Sequence, residues 1–304
     1  MLYSSQTSTA VKKFGIKEGI AVLADAGYPC LDLGICDYTE NLRQGNWREI
    51  AKEYRECAEH FQIEYNQGHA PFGGGALPDG RSKYVVEKAD LMPAALEFAA
   101  VAGVKTVIIH PLNFMEKGFL GNEEYHFEKN MEFFSRLIPI ARDLGLKIGI
   151  ENLWHQNERT GALIGVTCAD PREHMRYVTE LNAPDVFVAC LDLGHSALVG
   201  REPQDVIRAL GGDILGALHV HDVDYKTDLH TLPYQGKLNW EEICRALGEI
   251  DYKGVFTFEA DSFISRIDVE LIPSAVKFMA NVGKHLADMV DFTEETTNLE
   301  EGKI

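Results

Sequence analysis

The sequence predicts an α/β protein built as a single (β/α)8 TIM barrel with a parallel eight-stranded core. Three observations predict it. Short runs rich in Val, Ile and Leu alternate with longer amphipathic segments from one end of the chain to the other. Several of those runs are apolar on both faces, as strands covered on both sides must be. At 304 residues the chain has the length for one such barrel, and no low-complexity linker divides it. We expect the barrel over residues 1–290 and an acidic C-terminal tail over 291–304, "DFTEETTNLEEGKI".

In chain order the predicted strands are "MLYSS" (1–5), "YPCLDLGI" (28–35), "FQIEYN" (61–66), "VKTVIIH" (104–110), "LKIGIEN" (146–152), "VFVACLDL" (186–193), "ILGALHVHD" (214–222) and "YKGVFTFEA" (252–260). The predicted helices are "GIKEGIAVLADAG" (15–27), "WREIAKEYRECAEHF" (47–61), "KYVVEKADLMPAALEFAAVAG" (83–103), "YHFEKNMEFFSRLIPIARDLG" (125–145), "DPREHMRYVTEL" (170–181), "PQDVIRALG" (203–211), "NWEEICRALGEI" (239–250) and "IPSAVKFMANVGKHLAD" (272–288). Each carries apolar residues at i, i+3, i+4 spacing, and several close on Gly, which suits a helix C-terminus. A doubly wound open sheet would call for a Gly-rich phosphate turn after an early strand. "PFGGGALPDG" (71–80) has neither GxGxxG spacing nor GK[ST], so it reads as a loop.

A net charge of −18 argues against binding a phosphate backbone, which needs clustered Lys and Arg, so no nucleic-acid partner is expected. The same charge suits a focused site for cations. The six cysteines (Cys30, Cys36, Cys57, Cys168, Cys190 and Cys244) show no CxxC spacing and read as reduced thiols. No apolar run reaches the ~18 residues of a membrane span, and the N-terminus has no signal-peptide core, so we expect a soluble, cytoplasmic protein.

Active sites of such barrels lie at the C-terminal ends of the strands. Strand three runs into His69, strand four into His110, strand five into Glu151, strand six into Asp192, strand seven into His219 and strand eight into Glu259. Side chains far apart in sequence, separated by one βα unit each, would meet on one rim. Carboxylate and imidazole together suit Mn²⁺, Co²⁺, Zn²⁺ or Fe²⁺, with Mg²⁺ less well matched to a nitrogen donor. Glu151, Asp192, His219 and Glu259 would hold one divalent metal and leave positions for substrate oxygens.

"IGIENL", "CLDLGH", "LHVHD" and "FTFEAD" resemble the motifs of the xylose-isomerase-like barrel superfamily, which includes ketose 3-epimerases, inosose isomerases and dehydratases, and apurinic endonucleases. The resemblance spans nearly the whole barrel. It implies that Glu151, Asp192, His219 and Glu259 are the metal ligands and that Glu151 and Glu259 are the catalytic proton-transfer pair. His195, in "DLGH", stands where epimerases hold a substrate hydroxyl. His221 shares a strand face with His219 and reads as a substrate or supporting group. His69, His110, Asp228 and His230 match a further ligand set of the apurinic endonucleases, so a second metal, or a sugar pocket lined by these residues, is open. Trp154 and His155 follow the ligand glutamate and could close on a sugar ring. Lys226 lies near the place of a substrate-binding arginine, and Lys237 could meet a carboxylate or phosphate. Asp222 could fix an imidazole tautomer.

The expected function is a divalent-metal-dependent isomerase or epimerase of a sugar, sugar phosphate or cyclic polyol, acting through an enediolate. A dehydratase on the same chemistry and a multi-zinc phosphoesterase are the alternatives. The expected partner is a small carbohydrate, and the resemblance adds a homodimer.

Overall fold

A computed structural model of the chain describes residues 1–73, 88–114, 117–157 and 159–301, with side chains as far as Phe292. Seven residues of the Gly-rich stretch (74–80) and the first five of the expected helix 83–103 lie outside the described residues.

Eight parallel strands follow in order: β1 (Tyr3–Gln6), β2 (Cys30–Leu33), β3 (Glu64–His69), β4 (Thr106–Ile109), β5 (Lys147–Glu151), β6 (Phe187–Asp192), β7 (Leu215–His219) and β8 (Phe256–Phe258). Each pairs with its sequence neighbours, and β1 pairs with β8, with Tyr3 opposite Phe256. The ring closes at a single bridge between β7 and β8. There Val220 N donates to the Thr257 carbonyl at 2.8 Å, and Glu259 N donates to the Val220 carbonyl at 3.0 Å. β3 starts later than the sequence pattern places it, because the preceding helix Arg48–Phe61 ends in a left-handed Gln62.

The expected helices are present, the third over its described part as Met92–Ala102. Gly45, Gly103 and Gly145 each end a helix in the left-handed conformation, at φ between 67° and 93°. The pattern did not mark the short helices Ser8–Phe14, Thr39–Gln44, Leu193–Leu198 and Asp261–Ser265, or a hairpin pairing Trp154–Gln156 with Leu163–Gly165. These sit where strand ends become loops. The final helix, Ile272–Glu301, runs on into the acidic stretch expected as a tail. No helix among the described residues is long and apolar enough to cross a membrane. All six cysteines are free, and five of them are buried.

The large apolar core lies between strands and helices, with Leu31, Tyr54, Phe98, Phe134, Tyr177, Phe187 and Ile207 at most 1% exposed. The barrel interior is different. Part of it is a small apolar plug of Ile108, Cys190 and Ala217. Gly149 makes room for that plug, since a Cβ there would lie 2.6 Å from Ile108 Cδ1. The rest is polar: Ser4 Oγ donates to Thr257 Oγ1 at 2.9 Å, and Asn66 Nδ2 donates to the same oxygen at 3.1 Å. Side chains alternate in and out along a strand, so the residue two before each interior group also faces in. Gln67 precedes His69 in this way, Ile108 precedes His110, Gly149 precedes Glu151, Cys190 precedes Asp192, Ala217 precedes His219 and Thr257 precedes Glu259. The plug and polar layer thus form a floor, and the chemistry-bearing residues stand one layer above it.

Candidate metal centre

The strand ends bring the six residues expected at the rim to one place. Glu151, Asp192, His219 and Glu259 each offer a donor atom, all within 4.8 Å of one another, and all four residues are buried. His219 Nδ1 lies 3.2 Å from Glu151 Oε1 and 3.2 Å from Glu259 Oε2. His69 Nε2 and His110 Nε2 approach the other oxygen of Glu151 at 3.3 and 3.0 Å. In a second group, His195, His221, Asp228 and His230, one donor atom from each residue likewise lies within 4.8 Å of the others. Asp192 joins the two groups, because His221 Nε2 lies 3.1 Å from both of its oxygens.

The hydrogen bonds around these residues fix where lone pairs point. His69 Nδ1 donates to the Ala70 carbonyl at 2.9 Å, His195 Nδ1 to the Asn152 carbonyl at 2.9 Å and His230 Nδ1 to the Glu259 carbonyl at 3.0 Å. In its neutral form each ring would therefore turn a bare Nε2 toward a carboxylate: Glu151 for His69, Asp228 for His195 and His230. A lone pair facing a carboxylate is repulsive unless a proton or metal ion lies between them. Both oxygens of Glu151, both nitrogens of His219 and Asp228 Oδ1 have no hydrogen-bond partner, although all are buried. Buried polar atoms without partners are costly, and a cation at their centre would satisfy them together. The donor set therefore fits a divalent metal.

The electrostatics agree. Burial alone would keep Glu151 neutral, but His219 and His110 outweigh it and hold the acid well below the usual carboxylate range. Burial likewise opposes a charged His195 and His230. Asp192 and Asp228 at the first, and Asp228 and Glu259 at the second, overcome it and raise both imidazoles to about 10. The cluster's carboxylates demand positive charge, from protons or from metal.

Neighbouring backbone is clamped. Asn152 Nδ2 donates to the Asp192 carbonyl at 3.0 Å while Asn152 Oδ1 accepts from Asp192 N at 2.7 Å. This reciprocal pair locks the end of β5 to the end of β6. Asp192 Oδ1 also accepts from His195 N at 2.6 Å, capping the helix Leu193–Leu198 and so placing His195. Gln6 Nε2 donates to Glu259 Oε1 at 2.9 Å.

Above the cluster opens a cavity of about 320 Å³, lined by His69, Phe72, Gly73, His110, Asn113, Glu151, Leu153, Trp154, His195, Asp228, His230 and Glu259. Trp154 thus sits in the wall, as expected, with its ring 6.5 Å from that of His195. His155 does not line the cavity; the alternation of the hairpin strand turns it to Phe119, ring centres 5.5 Å apart. His221 is wholly buried and touches Asp192 rather than the cavity. Lys226 and Lys237 are exposed and line no part of it. Asp222 needs correction: an outward-facing position on strand period, it accepts from Val223 N, Leu238 N and Trp240 Nε1 at 2.9–3.1 Å, and its oxygens are spent on the loop after β7. The carboxylate that faces the outer nitrogen of His219 is Asp32, near the end of β2, 3.9 Å from Nε2. Asp32 lies one residue before the end of β2 and well inside the longer run 28–35 that the sequence pattern marks, so the strand-end rule does not reach it; Asn152 carries no comparable signal either, because its role needs the β5–β6 register.

The fold finds counterparts among known proteins. A D-tagatose 3-epimerase-like protein superposes with a TM-score of 0.69 at 20% identity, over 96% of this chain and 98% of that one. The IolI protein, whose crystal holds a zinc atom, gives 0.69 at 19% identity, over 96% and 99%. An uncharacterised protein of Methanocaldococcus jannaschii is 26% identical over 230 residues, 74% of this chain and 72% of that protein. The model of the xylose isomerase-like TIM barrel matches residues 20–282, from the helix before β2 to the last helix. With eight parallel strands and that match across most of its length, the chain belongs to the xylose isomerase-like TIM barrel family.

Proposed function

We propose that the chain is a divalent-metal-dependent isomerase or epimerase of a sugar, sugar phosphate or cyclic polyol. One observation carries the reading: Glu151, Asp192, His219 and Glu259 converge beneath an open cavity that Glu151 and Glu259 line, and the buried donor atoms of Glu151 and His219 lack partners. A divalent cation held there would supply Lewis acidity toward a carbonyl and its neighbouring hydroxyl. Glu151 and Glu259 each lie 3.2 Å from His219 Nδ1 and both line the cavity, so a substrate carbon bound above the site would have two carboxylates within reach. One glutamate takes the proton from that carbon, and the other returns a proton to the opposite face or to the neighbouring carbon. His195 presents its Nε2 and Trp154 its ring to the same space, where they orient hydroxyls and exclude water. A cavity of about 320 Å³ is at the lower end of the ~300–1,000 Å³ usual for ligand sites, which suits one sugar ring. The D-tagatose 3-epimerase-like protein among the structural neighbours and the zinc of IolI support the same reading.

The test is metal analysis of the purified protein, with a panel of ketoses and inososes incubated in heavy water. We expect bound Mn, Co, Zn or Fe, and solvent deuterium at carbon in any substrate turned over. Glu151→Gln and Glu259→Gln should each lower turnover by about 10²–10⁴-fold. Full turnover in both variants would remove the proton-transfer pair.

A second reading, a multi-metal phosphoesterase, is favoured by the second group His195, His221, Asp228 and His230 beside the first. One tightly held metal per chain supports the isomerase; three with phosphodiester cleavage support the hydrolase.

A further inference from the structure

Asp32 is 0% exposed, yet nothing in the packing of the barrel calls for an acid there. Its Oδ2 accepts from Gln67 Nε2 at 3.3 Å, and its Oδ1 has no partner. A neutral amide could take the same hydrogen bond without burying charge. What distinguishes the position is its neighbour. His219 turns Nδ1 to Glu151 and Glu259 and Nε2 to Asp32, so the ring stands between the metal-ligand acids and a further carboxylate below. Nε2 itself has no hydrogen-bond partner.

We propose that Asp32 is the positioning residue for His219, fixing its proton on Nε2 so that Nδ1 is bare toward the cation. The inference rests on the metal reading given above. A ligating imidazole commonly donates its outer N–H to a carboxylate, which holds the tautomer and ring angle and makes the inner nitrogen a stronger donor. At 3.9 Å the pair stands beyond hydrogen-bond length, and the Nε2–H must close on Asp32 to about 2.7–3.2 Å when Nδ1 is engaged. Gln67 anchors Asp32 from the side, and its own Oε1 accepts from Thr257 Oγ1 at 3.3 Å, so the carboxylate is held by the polar floor of the barrel.

The test measures Co²⁺ and Zn²⁺ affinity by chelator competition, and melting of the metal-stripped protein, for wild type, Asp32→Asn, Asp32→Ala, His219→Asn and the Asp32→Asn/His219→Asn double variant. We expect Asp32→Asn to weaken metal binding about 10–100-fold and to shift the visible Co²⁺ band, while the stripped protein melts no lower than wild type. Asp32→Ala should lose at least as much affinity, and the double variant should bind no more weakly than His219→Asn alone. Wild-type affinity in both Asp32 variants would overturn the proposal. So would an equal further loss in the His219→Asn background, or a stripped-protein melting temperature that falls in step with affinity. A wild-type protein that binds neither metal overturns the metal reading itself, which tells the two failures apart.

Discussion

Gly194 shows how closely single atoms are fitted at this rim. A Cβ added there would lie 2.1 Å from His221 Cε1, so the glycine of "DLGH" exists to let the imidazole lie across the start of the helix Leu193–Leu198. Gly194→Ala is expected to drive His221 off Asp192, costing about 1–3 kcal/mol and weakening the metal binding proposed at Asp192; melting and metal titration check both. A different acid, Glu173, carries a cost of its own. Burial raises it to about 7 from 4.5, even though Cys168 N donates to it at 3.0 Å. The folded state holds this proton more tightly than the unfolded one. Its stabilising contribution is therefore complete below the unfolded value and gone once pH passes about 7. Glu173→Gln keeps an acceptor for Cys168 N, so it should be nearly neutral at pH 4, below the unfolded value, and stabilising by about 1–2 kcal/mol at pH 8, discounted for partial exposure, as read by urea denaturation at both pH values. At this scale the residue types of the rim were legible in the sequence, while Asp32 and Asn152 were not identified as partners.

Helix caps explain why some elements begin where they do. Asp170 ends the loop after the hairpin, accepts from Arg172 N at 2.9 Å, and is held near pKa 2, first by its hydrogen bond with Arg172 and with Arg201 adding to it. Asn239 likewise accepts from Glu242 N at 3.2 Å and starts the helix Trp240–Glu249. Both caps lie at or within the N-terminal boundary of a predicted helix, which is why those boundaries were readable. Asp170→Ala should cost about 1 kcal/mol of stability, measured by denaturant midpoint at unchanged slope. The short helices after β1, β6 and β8 were not readable, because five to seven residues carry too little periodicity to stand out and only the one after β6 has a side-chain cap, Asp192.

At the scale of the whole molecule the eight strands form one ring that is weakest between β7 and β8, where a lone bridge stands for a ladder. Glu259 and His219 lie on the two sides of that seam, and a cation shared between them would tie it shut. Stripping metal from the protein is therefore expected to lower its melting temperature by roughly 5–10 °C, equivalent to about 4 kcal/mol for a ligand at 1,000 times its Kd, with recovery when metal is restored. No shift on stripping and reloading would mean that the ring closes without an ion. The sequence by itself determined the barrel, the order of its strands and the residue at each strand end, because alternation of period 2 and period 3.6 is written locally and a strand's last inward residue must face the rim. Only the tertiary structure decided which of those residues share a centre, which imidazole nitrogen faces which acid, and that Asp32 rather than Asp222 lies behind His219. Those relations depend on the register between strands and on ring orientation set by carbonyls from other units, and neither is encoded within reach of a single segment.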